Sequence, residues 1–156
     1  MRIWRPSVVI ETGEHDGLSS ALILRALERN EHGYLTSIDL PSTDLPPGVG
    51  GPGWLVPDGL RSRRRILLGD SRKLLAPAAA GTPVDLFFHD SDHSRAHCEF
   101  EFRAVRGGMS ASGLIVSDDD EHVDTLEWQM VRHSVDRAAG PGPHIGLLAP
   151  RPSSPA

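Results

Sequence analysis

Short runs of aliphatic and β-branched residues alternate along this chain with longer stretches whose apolar positions recur at helical spacing. That alternation predicts a parallel sheet with crossover helices. The segment from Ser7 to Ile10, apolar after its serine, reads as a strand buried on both faces. Gly17 to Asn30 reads as a helix with Leu18, Ala21, Leu22, Leu24 and Leu27 on a broad apolar face and Gly33 near its stop. Strands follow at Tyr34–Ile38, Arg65–Leu68, Val84–Phe88 and Leu114–Val116. Helices are expected at Ser71–Ala80, Ser94–Val105 and Thr125–Ala138, with one edge strand at His144–Leu148. Residues 41–59 hold five Pro and five Gly around Trp54, the composition of a surface loop. The expected architecture is α/β and Rossmann-like, a mostly parallel sheet of about six strands with helices on both faces. Residues 1–150 form one domain and 151–156 a disordered tail.

Length fits this picture, since 156 residues suffice for one core and leave little room for a second. With 16 basic and 21 acidic residues the net charge is -5, which disfavours nucleic acid as a partner. Cys98 is the single cysteine, so an internal disulfide and a cysteine zinc cage are excluded and a reducing, cytoplasmic location is expected. No apolar run approaches the roughly 20 residues that span a bilayer, and Met1–Pro6 lacks a signal-peptide core. A small-molecule partner is expected, with homo-oligomerisation left open.

In open α/β sheets ligands bind beyond the carboxyl ends of the strands. Read in order, those ends carry Glu11, Asp39, Asp70, Asp90 and Asp118. One such acid is an ordinary helix cap or turn former. Five on one rim point to a ligand that is cationic or rich in hydroxyls. The turn Glu11-Thr12-Gly13-Glu14-His15-Asp16-Gly17, followed some twenty residues later by Asp39, has the form of a nucleotide pocket. Glu14 and Asp16 would repel a pyrophosphate, which disfavours a nicotinamide dinucleotide and an oxidoreductase.

The ordered set Glu11-Thr12-Gly13, Gly17-Leu18-Ser19-Ser20, Ser37-Ile38-Asp39-Leu40-Pro41, Gly69-Asp70-Ser71, Asp85 to Ser94 and Gly113 to Asp119 resembles class I S-adenosylmethionine-dependent methyltransferases, in particular their small-molecule O-methyltransferase group. The resemblance spans residues 7–119. It implies that Gly13, Gly17 and Ser19 border the methionine end of S-adenosylmethionine, with Glu11 near the ammonium. Asp39 would take the ribose diol, Asp70 and Ser71 the adenine, and Asp90 would complete the donor site. It also implies methyl transfer to a hydroxyl, with His93 and Asp90 as catalytic residues. Mg²⁺ is a candidate second cofactor on Asp90, Asp118 and Asp119, where hard oxygen ligands favour it over zinc.

This chain departs from the pattern in three places. His15 replaces a glycine of the turn, the segment before the first strand is too short for the family's cap, and one strand rather than an antiparallel hairpin is expected after Ala138. These departures support an alternative, a non-catalytic remnant that binds the donor or serves as a subunit. A zinc hydrolase built on the histidine-rich stretch 89–97 is a weak rival, because its spacing matches no usual ligand set. Trp54 reads equally as a lid or a loop anchor, Arg61, Arg63, Arg64 and Arg65 as a solvated edge or an anion contact, and Cys98 as buried packing. Trp128 and Met130 read as core or interface residues of the last helix. His122, His133 and His144 have no nameable partner.

Overall fold

In the computed structural model residues 4–42 and 45–118 are described throughout, and Gln129–Met130 and Gly146–Ala149 by their backbone. The elements are β1 (Val8–Thr12), α1 (Leu18–Asn30), β2 (Tyr34–Asp39), a 3₁₀ turn (Asp58–Arg63), β3 (Arg64–Leu68), α2 (Ser71–Ala78), β4 (Val84–His89), α3 (Arg95–Arg106), β5 (Met109–Ser117), β6 (Gln129–Met130) and β7 (Gly146–Ala149). One sheet runs in the order β3-β2-β1-β4-β5-β7-β6. The first five strands are parallel, and β7 runs antiparallel to both β5 and β6. The chain thus reverses direction across the sheet at β1 and β4, where ligands bind in open α/β sheets.

Side chains of successive strand residues leave the sheet on opposite faces, which gives two cores. Ile10, Ile38, Phe87 and Ile115 pack with Leu75 of α2 and with Cys98, Phe102 and Val105 of α3. Val9, Leu35 and Leu86 pack with Ile23, Leu24 and Leu27 of α1 and with Val56 and Leu60 of the loop. The Rossmann-like reading holds, with seven strands in place of about six. The buried setting expected of Cys98 holds as well.

Several expectations need correction. The buried face of α1 is Ser20, Ile23, Leu24, Leu27 and Asn30, whereas Leu18 and Leu22 are 60% and 67% exposed. The reason is a buried acid, because Glu11 accepts from the Ser20 hydroxyl and so draws that side of the helix toward the sheet. Helix α2 stops at Ala78, with Pro77, which has no N–H, in its last turn. Strand β5 begins at Met109, five residues early, and a register irregularity separates Val84 from Leu86. The polar and small residues 110–113 gave no apolar signal there. Gln129–Met130 is strand where a helix over 125–138 was expected, so Met130 does not lie on a helix. The expected edge strand is interior, covered by β6, which precedes Ala138 in the chain and pairs with that strand antiparallel. The rest of that helix, Asp119, Trp128, His122, His133, His144 and residues 151–156 lie outside the described residues.

Phe87 is fully buried between β4 and the α2–α3 layer. Phe87→Ala is expected to lower the free energy of unfolding by about 3–5 kcal/mol. Leu22→Ala on the exposed side of α1 is expected to change it by less than about 0.5 kcal/mol. Urea unfolding of both variants checks this, and equal losses would contradict the burial pattern.

Candidate donor and acceptor clefts

Where β1 ends, the chain turns through two left-handed glycines, Gly13 at φ 82° and Gly17 at φ 90°. A β-carbon on Gly13 would sit 2.0 Å from the Asp90 carbonyl oxygen, and one on Gly17 would sit 2.6 Å from Gly53 Cα. Both positions therefore need glycine for closeness as well as for conformation. His15 adopts φ 46° without being glycine. It is held on both sides, its N–H donating to Asp39 Oδ2 at 2.7 Å and its carbonyl accepting from Gly53 N at 2.8 Å. The Leu55 N–H donates to the Asp16 carbonyl at 2.9 Å, so the Pro/Gly loop is stitched to the turn. Arg64 seals this join with an ion pair to Glu14, whose side chain is fully buried. Burial pushes the Glu14 carboxyl above its ordinary range, against the pull of Arg64. Trp54 therefore sits between two residues whose backbones are tied to the turn. Arg64 is neither a solvated edge nor an anion contact. Since Arg64 offsets Glu14, the argument against a pyrophosphate rests on Asp16 and the rim acids.

Two clefts open on either side of Gly13 and Asp90. The first, about 440 Å³, is walled by Gly13, Asp39, Asp70, Ser71, Asp90 and His97 among others. The Asp39 carboxylate is fixed in place, accepting from Leu40 N through Oδ1 and from His15 N through Oδ2, both at 2.7 Å. Asp70 caps α2 by accepting from Arg72 N at 2.9 Å. The second cleft, about 630 Å³, shares Gly13, His15, Asp90 and Ser91 and adds Leu18, Ser19, Leu22, Phe88, His93 and Asp118. Of the sequence candidates, Gly13, Ser19, Asp39, Asp70, Ser71, Asp90, His93 and Asp118 line one cleft or the other. Gly17 and Glu11 line neither. Glu11 lies fully buried behind the turn and accepts from Ser19 Oγ at 2.5 Å, from Ser20 Oγ and from Ser37 Oγ at 2.9 Å. Burial pushes its carboxyl up in spite of these donors.

Asp90, His93 and Asp118 come together at the second cleft, each offering a ligand atom within 4.8 Å of the others. Burial and then the Asp118 charge push the Asp90 carboxyl up to about 6, while His93, 3.6 Å away, works against this rise. Two carboxylates and an imidazole at this spacing fit a divalent cation. They equally form an acid–base group.

The sequence reading missed Glu101, which organises the floor beneath both clefts. This fully buried residue of α3 accepts from Thr12 Oγ1 at 2.6 Å and His89 Nδ1 at 2.7 Å through Oε2. Through Oε1 it accepts from His97 Nε2 at 2.8 Å and Ser91 Oγ at 3.0 Å. The second nitrogen of His89 lies 3.0 Å from Cys98 Sγ. Burial alone would raise the Glu101 carboxyl, but the donors, His89 foremost, outweigh it and hold it at about 2. Four donors for four lone pairs leave this charge satisfied. The signal was present in the sequence, because positions 97, 98, 101, 102 and 105 make one helical face that is apolar except for His97 and Glu101.

This strand order, with a glycine turn after β1 and an acid at each parallel strand end, defines a class I S-adenosylmethionine-dependent methyltransferase fold. The family model described as "Methyltransferase domain" matches residues 10–119, and the chain belongs to that family. Among solved structures it is similar to a putative O-methyltransferase from Klebsiella pneumoniae, with TM-score 0.60 and 18% identity over 76% of this chain and 50% of that one. It is similar also to the O-methyltransferase TomG from Streptomyces achromogenes, involved in tomaymycin synthesis and solved with SAM, with TM-score 0.55 and 17% identity over 76% and 51%. The methyltransferase MycE of mycinamycin biosynthesis, solved with Mg, SAH and mycinamycin VI, shows TM-score 0.53 and 21% identity over 76% and 31%. The chain thus spans about half the length of the first two and about a third of the last. No curated protein matches it. Among the described residues no helix is long and apolar enough to cross a membrane.

The Glu101 carboxyl goes from an ordinary value of 4.5 to about 2 on folding. A depressed carboxyl adds stability above its unfolded value and loses it as pH falls, here about 3 kcal/mol between pH 4.5 and 2. Urea unfolding of the wild type and Glu101→Gln is expected to show a gap at pH 7 that narrows markedly by pH 3. A gap independent of pH would contradict the ionised, fully accepting state of Glu101.

Proposed function

We propose that the chain binds S-adenosylmethionine across the two clefts and transfers its methyl group to a hydroxyl of a small molecule. The observation that carries this reading is the shared wall of Gly13 and Asp90, which joins a cleft with nucleoside-binding groups to one with acid–base groups. Asp39 presents a pre-oriented carboxylate, the group that accepts from two adjacent ribose hydroxyls. Asp70 and Ser71 border the position for the adenine. Gly13 lets the backbone pass close to the methionine end, while Glu11 and Gly17 act from behind by shaping the turn and the start of α1. An anionic rim also suits a sulfonium cation.

When bound, the donor supplies an electrophilic methyl on a positively charged sulfur that leaves as a neutral thioether. The residues align the acceptor oxygen with it and take away the acceptor's proton. His93, half-exposed beside Asp90, is placed to receive that proton at a ring nitrogen. Asp90 and Asp118 offer carboxylates to Mg²⁺, with Asp119 proposed from the sequence, and His93 beside them keeps its ring lone pair for the proton. Bound there, the ion would lower the pKa of the acceptor hydroxyl. Alignment of the reacting atoms is the main source of rate. Leu18, Leu22 and Phe88 give the second cleft an apolar wall, which favours an acceptor with an apolar body. The openness of that wall, where Leu18 and Leu22 stay exposed, favours a second reading in which the donor binds without transfer.

Calorimetric titration with S-adenosylhomocysteine, with NAD alongside and with or without Mg²⁺, tests this. S-adenosylhomocysteine is expected to bind and NAD is not, and Asp39→Ala is expected to weaken binding about 10–100-fold through loss of charge-assisted hydrogen bonds. Absence of S-adenosylhomocysteine binding would contradict the proposal. Binding with no methyl transfer to any of a panel of hydroxylated acceptors would favour the second reading.

A further inference from the structure

A closed ring of contacts through three segments holds the glycine turn from outside the first cleft. Glu14, inside the turn, forms its ion pair with Arg64, 50 residues on at the start of β3. Arg64 Nη1 also donates to the Gly53 carbonyl at 3.4 Å. The Gly53 N–H donates in turn to the carbonyl of His15, the residue after Glu14, at 2.8 Å. Both charged side chains are shut away, Arg64 10% exposed and Glu14 not at all. Gly53 stands at φ 72°, and a β-carbon there would run into the Arg64 guanidinium and the Glu14 carboxylate. The ring encloses His15, whose φ of 46° is one that a residue with a side chain keeps only where its surroundings enforce it. One further bond leads out of the ring, from the His15 N–H to Asp39 Oδ2 at 2.7 Å.

A buried ion pair is a poor source of stability, since apolar side chains of similar volume do as well. Burial of this one already pushes the Glu14 carboxyl up. What the pair supplies and apolar packing does not is direction. We propose that Arg64 and Glu14 are positioning residues for the donor, a latch that orders His15 and, through its N–H, aims the Asp39 carboxylate at the ribose diol. This rests on the proposed donor site and deepens it. Neither residue lines the first cleft, so the latch acts on the carboxylate and not on the nucleoside. Without it the turn is free to leave the left-handed conformation, and Asp39 keeps only its bond from Leu40 N. Binding then carries the cost of ordering the carboxylate.

The test combines Glu14→Leu with Arg64→Met, which replaces the pair by apolar side chains and leaves no lone buried charge. Calorimetry on the full chain compares S-adenosylhomocysteine with its 2′,3′-dideoxy analogue. The wild type is expected to prefer the parent compound by about 30-fold and the double variant by about 3-fold, with affinity for the analogue unchanged. An unchanged preference, or equal loss for both ligands, overturns the assignment, because a merely structural lesion does not single out the ribose. Hydrogen exchange of the unliganded protein gives a second reading, with Glu14→Gln as a milder variant that keeps the shape of the side chain. Its His15 amide is expected to exchange about 10-fold faster than in the wild type while the amides within β1 keep their rates. No change at His15 overturns the assignment. Binding of neither ligand by the wild type overturns the donor site, a result distinct from a wild-type preference that the double variant retains.

Discussion

The approach of Gly13 to Asp90 is the contact on which the clefts depend. Strands β1 and β4 are parallel neighbours through Thr12 and His89, with the Asp90 N–H still donating to the Thr12 carbonyl at 3.0 Å. One residue later β1 must turn away, and Gly13 does so against the Asp90 backbone at a distance no β-carbon permits. The parting of the two strands creates the first cleft toward β2 and the second toward α1 and β5. Two buried carboxylates brace the parting from opposite faces. Glu11 draws the serines of α1 and β2 beneath the turn, and Glu101 ties Thr12 to Ser91 and the two histidines on the other side. Neither acid faces the clefts, yet both set the backbone that does.

The same arrangement explains the electrostatics of the rim. Asp90 sits between the clefts, half-buried and close to Asp118, so its carboxyl is held near neutrality at about 6. A cation on either side would relieve that strain, whether a sulfonium or a divalent ion. By contrast, the buried charge of Glu101 is satisfied by donors and requires no cation.

Much of the architecture could be read from the chain because each parallel strand is a short apolar run ended by a glycine turn or an acid. Strands β1 to β4 and all three described helices appear within a few residues of their expected limits. What escaped had weaker local signals. The early part of β5 is polar and small, and β6 is two residues long, paired only through the chain's return as β7. The exposed flank of α1 was misread because leucine count suggested burial, whereas a buried acid on β1 set the helix face. Site residues facing the clefts were legible as strand-end acids and glycines. The supporting shell was not, since Glu101, His89 and His97 acquire their roles only when α3 packs on the sheet. Arg64 likewise looked like one more charge in a basic run until the loop brought Glu14 to it.

The most direct test of the account is to map S-adenosylhomocysteine onto the protein by following backbone amide resonances of ¹⁵N-labelled full chain during titration. The account predicts that the largest shifts fall on Gly13, His15, Asp39, Ser71, Asp90 and Ser91, on both sides of the parting between β1 and β4. Shifts confined to another face of the sheet, or none at saturating ligand, would contradict it.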